Sequence, residues 1–159
     1  MENIYNTFQL SDGTIVGCCF YDTNGTNRFR AVNEAYYKKV DGCIIVYDIT
    51  DENSFNEIEN YFIPVIKEKC KAKIPILILG NKTDMEDTRH ISPEQGEQLA
   101  LKYNYIFKEI SSINNVNILE TFQEIIETIT YKVKMEERKE NNLNIRINER
   151  NSRKKCLAC

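Results

Sequence analysis

Four consecutive residues, Asn81-Lys82-Thr83-Asp84, place a carboxamide, an ammonium and a carboxylate directly behind the apolar run Ile74-Pro75-Ile76-Leu77-Ile78-Leu79-Gly80. A carboxylate at the end of a buried strand can accept two parallel hydrogen bonds from a flat ligand, and a carboxamide can donate and accept at once. Taken alone, the same four residues also read as a turn that caps a helix. A second polar cluster, Asp22-Thr23-Asn24-Gly25, follows another strand-like run and by itself reads as a tight turn. The chain closes on Arg153-Lys154-Lys155-Cys156-Leu157-Ala158-Cys159. Its last four residues fit the C-a-a-X pattern for prenylation; an unmodified tail and half of a zinc site are the alternatives. No G-x-x-x-x-G-K-[ST] stretch, whose amides and lysine would hold nucleotide phosphates, occurs in the 159 residues.

These groups need strands to carry them. Thr7 to Leu10 and Thr14 to Tyr21 flank Ser11-Asp12-Gly13, a hairpin signal. Cys43 to Tyr47, Ile74 to Leu79 and Tyr105 to Ile110 are apolar runs suited to strands covered on both faces. Arg28 to Lys39 reads as a short or irregular helix, and Asn53 to Lys69 as a helix that Pro64 interrupts. Ser92-Pro93-Glu94-Gln95 opens a helix reaching Tyr103, and Ile118, Leu119, Phe122, Ile125, Ile126 and Ile129 mark a long amphipathic one. The alternation implies a doubly wound, mostly parallel α/β sheet with flanking helices. Ligands in such sheets bind beyond the carboxyl ends of the strands, where Asp48, Asn81 and Ser111 all fall. The chain divides into a domain over 1–133 and a polar tail over 134–159, read as flexible or as a frayed helix extension.

Composition narrows the class. A net charge of -3 argues against nucleic acid as the main partner. The six cysteines are scattered in a way that suits a reducing cytosol rather than a disulfide framework. No stretch is long enough and apolar enough to span a bilayer, and Met1 to Tyr5 lack the pattern of a secretory signal. His90, the only histidine, lies in a polar loop and reads as a solvated surface residue.

Five motifs in order resemble the Rab branch of the Ras-like small GTPases. Asp22-Thr23-Asn24-Gly25-Thr26-Asn27-Arg28-Phe29-Arg30 is similar to D-T-A-G-Q-E-R-F-R, and Tyr36-Tyr37-Lys38-Lys39-Val40-Asp41-Gly42 to Y-Y-R-G-A-D-G. Ile45-Val46-Tyr47-Asp48-Ile49-Thr50 resembles L-V-Y-D-I-T, Asn81-Lys82-Thr83-Asp84 the N-K-x-D box, and Glu109-Ile110-Ser111-Ser112-Ile113 the E-T-S-A-K stretch. The resemblance runs from about Ile4 to Ile129 and implies an incomplete P-loop NTPase fold. The family's first strand, phosphate loop, first helix and switch I have no counterpart. The missing strand would lie between the strand ending at Tyr21 and the one ending at Tyr47, so the hairpin either detaches or pairs across the gap.

The resemblance also implies roles. Asp84 would accept guanine's N1–H and amino group; Asn81 would bridge loops and contact the base; the Lys82 stem would pack over it. Ser111 belongs to the same guanine-reading set, and Ser112 would offer its amide to the guanine oxygen. Asp22 would hold Mg²⁺ through a water and the Gly25 amide would meet the γ-phosphate. Thr26 stands where the catalytic glutamine is expected, so no catalytic residue is assigned. Cys156 and Cys159 would be prenylated, placing the protein on the cytosolic face of endomembranes. GTP or GDP with Mg²⁺, Rab effectors, and the escort and prenylation machinery are the implied cofactors and partners. Phe29, Tyr36 and Tyr37 either form an effector-facing surface or simply face the core. Without a phosphate cradle, base contacts of about 1–3 kcal/mol per bidentate pair would leave nucleotide binding weak. Three readings stay open: a fragment of a working GTP switch in membrane traffic, an interaction module that does not cycle nucleotide, and a poorly folded remnant.

Overall fold

The computed structural model describes residues 3–23, 36–70 and 73–154, with side chains up to residue 139. Two strands open the chain, β1 (Asn3–Gln9) and β2 (Ile15–Tyr21). They pair antiparallel with Asn3 opposite Tyr21 and Gln9 opposite Ile15. The Asp12-Gly13 turn forms where the sequence places it. Gly13 takes φ 80°, a conformation that favours glycine, and the Asp12 carboxylate accepts from the Thr14 amide at 2.9 Å.

The second sheet contains β3 (Cys43–Asp48), β4 (Ile76–Asn81) and β5 (Ile106–Glu109), all parallel, in the order β3-β4-β5. Its parallel strands and flanking helices are the α/β architecture expected from the alternating pattern. β4 is buried from Ile76 to Gly80, as its unbroken apolar run requires. Asp48 stands opposite Asn81 in register, so the loops leaving β3 and β4 start at the same edge.

Among the described residues β2 and β3 do not pair, and the hairpin and the parallel sheet are separate hydrogen-bonded units. Of the two expected outcomes, pairing across the gap is therefore not the one adopted. Side chains hold the hairpin instead. Leu10 is buried with Leu77, Leu79, Ile110, Ile125 and Ile126, and Phe8, Val16, Cys18 and Phe20 pack against that cluster. Phe20 meets Phe122 edge-on at 5.9 Å, and the Ser11 amide donates to Glu127 at 2.7 Å. Leu10, the one fully buried side chain of this segment, contributes about 1.5–3 kcal/mol, and the partly buried Phe8, Val16, Cys18 and Phe20 add to it. Val46 marks the open side of β3: it is 53% exposed although its register partner Leu79 is 2% exposed.

The segment after β3 shows how Pro64 is accommodated. Helix α1 (Glu52–Glu57) leads into a π-helical stretch, Ile58–Phe62, and then α2 (Ile63–Lys69). Pro64 lacks an N–H, and its ring crowds the carbonyl four residues back. The turn widens just before it, and the Ile63 amide bonds the Ile58 carbonyl five residues away. Ile58, Ile63 and Ile66 stay buried through the change. Helix α3 (Pro93–Tyr103) begins with the expected Ser92 cap, a full capping box with Gln95, and ends at Asn104 in the left-handed region. Helix α4 (Ile118–Lys154) buries Thr121, Ile125 and Ile126, and its backbone stays helical beyond residue 134. Most of the expected Arg28–Lys39 helix lies outside the described residues. Its end is helical at Tyr36, whose ring lies 5.0 Å from that of Tyr21.

Gly96, inside α3, reverses an ordinary helix rule. Alanine is normally favoured over glycine in a helix by about 1 kcal/mol. Here an added methyl would collide with the Phe107 ring edge and sit 2.7 Å from the Tyr47 hydroxyl. Gly96→Ala is expected to destabilise the fold by about 1–3 kcal/mol, measured as a lower urea midpoint with an unchanged slope.

Candidate functional site

Parallel strands end in step, and the site is built on that edge. Beyond β4 the chain turns through Lys82 into a short 3₁₀ segment, Thr83–Thr88. Beyond β5 it turns through Ser111 and returns at Val116, with which Ser111 forms an isolated bridge. Asn115 and Asn117 take φ 55° and 57° in this loop, a conformation asparagine tolerates better than most residues. The Thr83 amide donates to the Ile110 carbonyl at 3.2 Å and the Ile110 amide to the Gly80 carbonyl at 2.8 Å, closing the two loops onto each other.

Asn81 is the tie between them. Its Oδ1 accepts from the Lys82 amide at 2.8 Å and from the Ser112 amide at 3.1 Å, while Nδ2 donates to Ser112 Oγ at 3.2 Å. The carboxamide thus joins the loop after β4 to the loop after β5. The Ser112 amide, read as the donor to a guanine oxygen, is already engaged by Asn81. Ser111 is 1% exposed, and its Oγ donates to Asp84 Oδ1 at 2.5 Å while accepting from the Asn114 amide at 3.1 Å. Asp84 itself is exposed. A buried hydroxyl therefore orients a solvent-facing carboxylate whose second oxygen has no partner among the described residues, a fitting acceptor for a pair of donors on a planar base.

Lys82 sits at φ 74°, ψ 37°, the left-handed region. For a lysine this costs about 1 kcal/mol, offset by the Asn81 bond to its amide. Its ammonium reaches back to Asp48 Oδ2 at 2.6 Å. Asp48 Oδ1 accepts from the Thr50 amide at 2.9 Å and the Thr50 hydroxyl at 2.8 Å. Burial raises the Asp48 pKa, but the bonds from Lys82 and Thr50 outweigh it and hold the carboxyl below the ordinary carboxylate range. Arg89 closes the outer side. It binds both oxygens of Glu109 at 2.7 and 3.0 Å, Glu86, and the Ile91 carbonyl. Bonds from Glu109 and Glu86 push the Arg89 pKa up, so the loops are locked by a charge that never titrates.

The structure brings Asn81, Lys82, Asp84, Ser111 and Ser112 together. Asp22 is exposed past the end of β2. No group of three or more His, Cys, Asp or Glu that could hold a metal ion is found among the described residues. Gly25, Thr26, Phe29, Cys156 and Cys159 lie outside the described residues. His90 is exposed, as expected. No helix among the described residues is long and apolar enough to cross a membrane. The Asp48 anchor and the Arg89–Glu109 lock were not singled out from sequence. Only the position of Asp48 at a strand end hinted at the first, and a pairing across 20 residues left no local signal of the second.

Comparison with known proteins gives one consistent result. The sequence profile of the Ras family matches residues 1–131. Ras-related protein Rab-8A of Bos taurus is 41% identical over 131 residues, 82% of this chain and 62% of its own length. The same protein of Mus musculus gives the same figures. Ras-related protein Rab-8B of Homo sapiens is 38% identical over 141 residues, 89% of this chain and 63% of its own length. The chain thus spans less than two thirds of these curated relatives.

Two substitutions test the site. Asp84→Asn replaces half of the double acceptor with a donor and is expected to reduce any preference for guanosine over adenosine by about ten- to a hundredfold, read by equilibrium titration of both nucleosides. Asp48→Asn tests the strut to Lys82. A depressed folded pKa contributes stability above the unfolded value of 3.8 that is lost as pH falls through the folded value. Urea denaturation across pH should show Asp48→Asn less stable at neutral pH and losing less stability than the parent on acidification.

Proposed function

Because the chain belongs to the Ras family of small GTPases and is Rab-like within it, we propose that it carries the guanine-reading half of a Rab-type protein of membrane traffic, and that this chain alone recognises the base without hydrolysing GTP. The observation that carries the reading is the Ser111–Asp84 bond of 2.5 Å beneath an exposed carboxylate, braced by Asn81 across two loops. Such bracing presents acceptors in a fixed direction, which is what discrimination between guanine and adenine needs. Affinity for nucleotides rests mostly on phosphate charge meeting amides, lysine and a divalent cation. Nearby cations are spent elsewhere: Lys82 on Asp48 and Arg89 on Glu109 and Glu86. Thr26, where the family pattern has glutamine, supports slow or absent hydrolysis. In this reading the chain takes part in trafficking as a partner-binding protein that does not cycle nucleotide. A prenylated Cys156-Leu157-Ala158-Cys159 end, helped by Arg153, Lys154 and Lys155, would attach it to the cytosolic face of membranes. Rab effectors and the escort and prenylation machinery are its proposed partners.

A titration separates this from a working switch. Guanosine, GDP and GTP with Mg²⁺ are each expected to bind more weakly than about 1 μM, ahead of their adenine counterparts, with no phosphate release on incubation. Binding of GTP tighter than that, or measurable hydrolysis, refutes the non-cycling reading; equal binding of guanosine and adenosine refutes base recognition.

A further inference from the structure

A cavity of about 300 Å³ lies at the opposite end of the parallel sheet, between the entry to β3, the entry to β4 and the middle of α4. Four lysines border it, Lys38, Lys39, Lys73 and Lys132, against two carboxylates, Asp41 and Glu136. Four positive charges less two negative ones leave a surplus of two. None of the six forms an ion pair with another described residue. This contrasts with the base-reading edge, where Lys82 and Arg89 are both paired. Ile74 and Val133 add apolar wall. Strands β3 and β4 have six residues each, about 17 Å at the usual rise, so a ligand here is not the one read at Asp84.

Like charges gathered around one concavity repel each other, and an anion with several oxygens relieves that repulsion while accepting from more than one ammonium. A phosphate monoester has that chemistry, and the apolar wall beside the lysines suits the glycerol stem of a lipid better than a free ion. The helix that supplies Lys132 and Glu136 also leads to Arg153 and Lys154.

We propose that the cavity bordered by Lys38, Lys39, Lys73 and Lys132 binds the phosphorylated headgroup of an anionic membrane lipid. It does not depend on guanine binding.

The test uses the full chain without lipid modification. Its partition onto phosphatidylcholine vesicles carrying a phosphatidylinositol monophosphate is compared with vesicles carrying phosphatidylserine to the same total charge, and inorganic phosphate is titrated separately by NMR. Lys39→Glu with Lys132→Glu is set against a charge-matched control on α4, Lys134→Glu with Lys139→Glu; Lys39→Gln with Lys132→Gln serves if the first pair fails to show a cooperative thermal transition. The expected result is a preference for the phosphoinositide vesicles that falls at least about tenfold in the cavity variant and little in the control. Equal losses in both variants, no preference over phosphatidylserine vesicles, phosphate binding without vesicle binding, or binding to neither each overturn the proposal.

Discussion

One carboxamide holds the recognition edge together. Asn81 leaves β4 at the point where Asp48 leaves β3, because parallel strands in register end side by side. From there its side chain takes the amide of its own loop and the amide and hydroxyl of the next. Asp84 and Ser111 are 27 residues apart, yet their contact follows once those loops are tied. A shorter polar group could not bridge both loops, and a carboxylate would lack the donor that Ser112 Oγ receives.

Charge is distributed around that edge in a consistent way. Cations close to the base-reading loops are matched by carboxylates, Lys82 with Asp48, Arg89 with Glu109 and Glu86, and Lys108 with Glu124. These pairs position backbone and side chains and leave little net attraction for an anion. Ammonium groups with no ion pair among the described residues instead gather where the strands begin. The two ends of one sheet therefore present different electrostatics, one suited to directional hydrogen bonding and the other to charge.

Much of this was legible in the residues. The Asp12-Gly13 hairpin, the Ser92 cap and the buried run through β4 carry their own local signals, a turn dipeptide, a capping pair and an unbroken apolar stretch. Motif order also singled out Asn81, Lys82, Asp84, Ser111 and Ser112, which lie together on two adjoining loops. Less legible were effects set by packing. Pro64 predicts disruption but not its form, because a widened turn and a kink relieve the same clash. Position 134 separates compositions, yet the helical backbone crosses it. The Lys82–Asp48 strut depends on a left-handed backbone at a lysine, which no propensity favours. The docking of the hairpin was open between two outcomes because it depends on whether side chains can bury enough area without a shared hydrogen-bond ladder.

That last arrangement has a consequence for handling the molecule. Along β2 and β3 the described backbone shows one row of amides and carbonyls each with no neighbour in its sheet. Such rows template further strands, and Ile15 at 72% exposure and Val46 at 53% give them a greasy flank. Concentrated solutions should therefore drift toward filamentous association through these seams, and a chaperone or a bound partner that covers them would keep the chain dispersed.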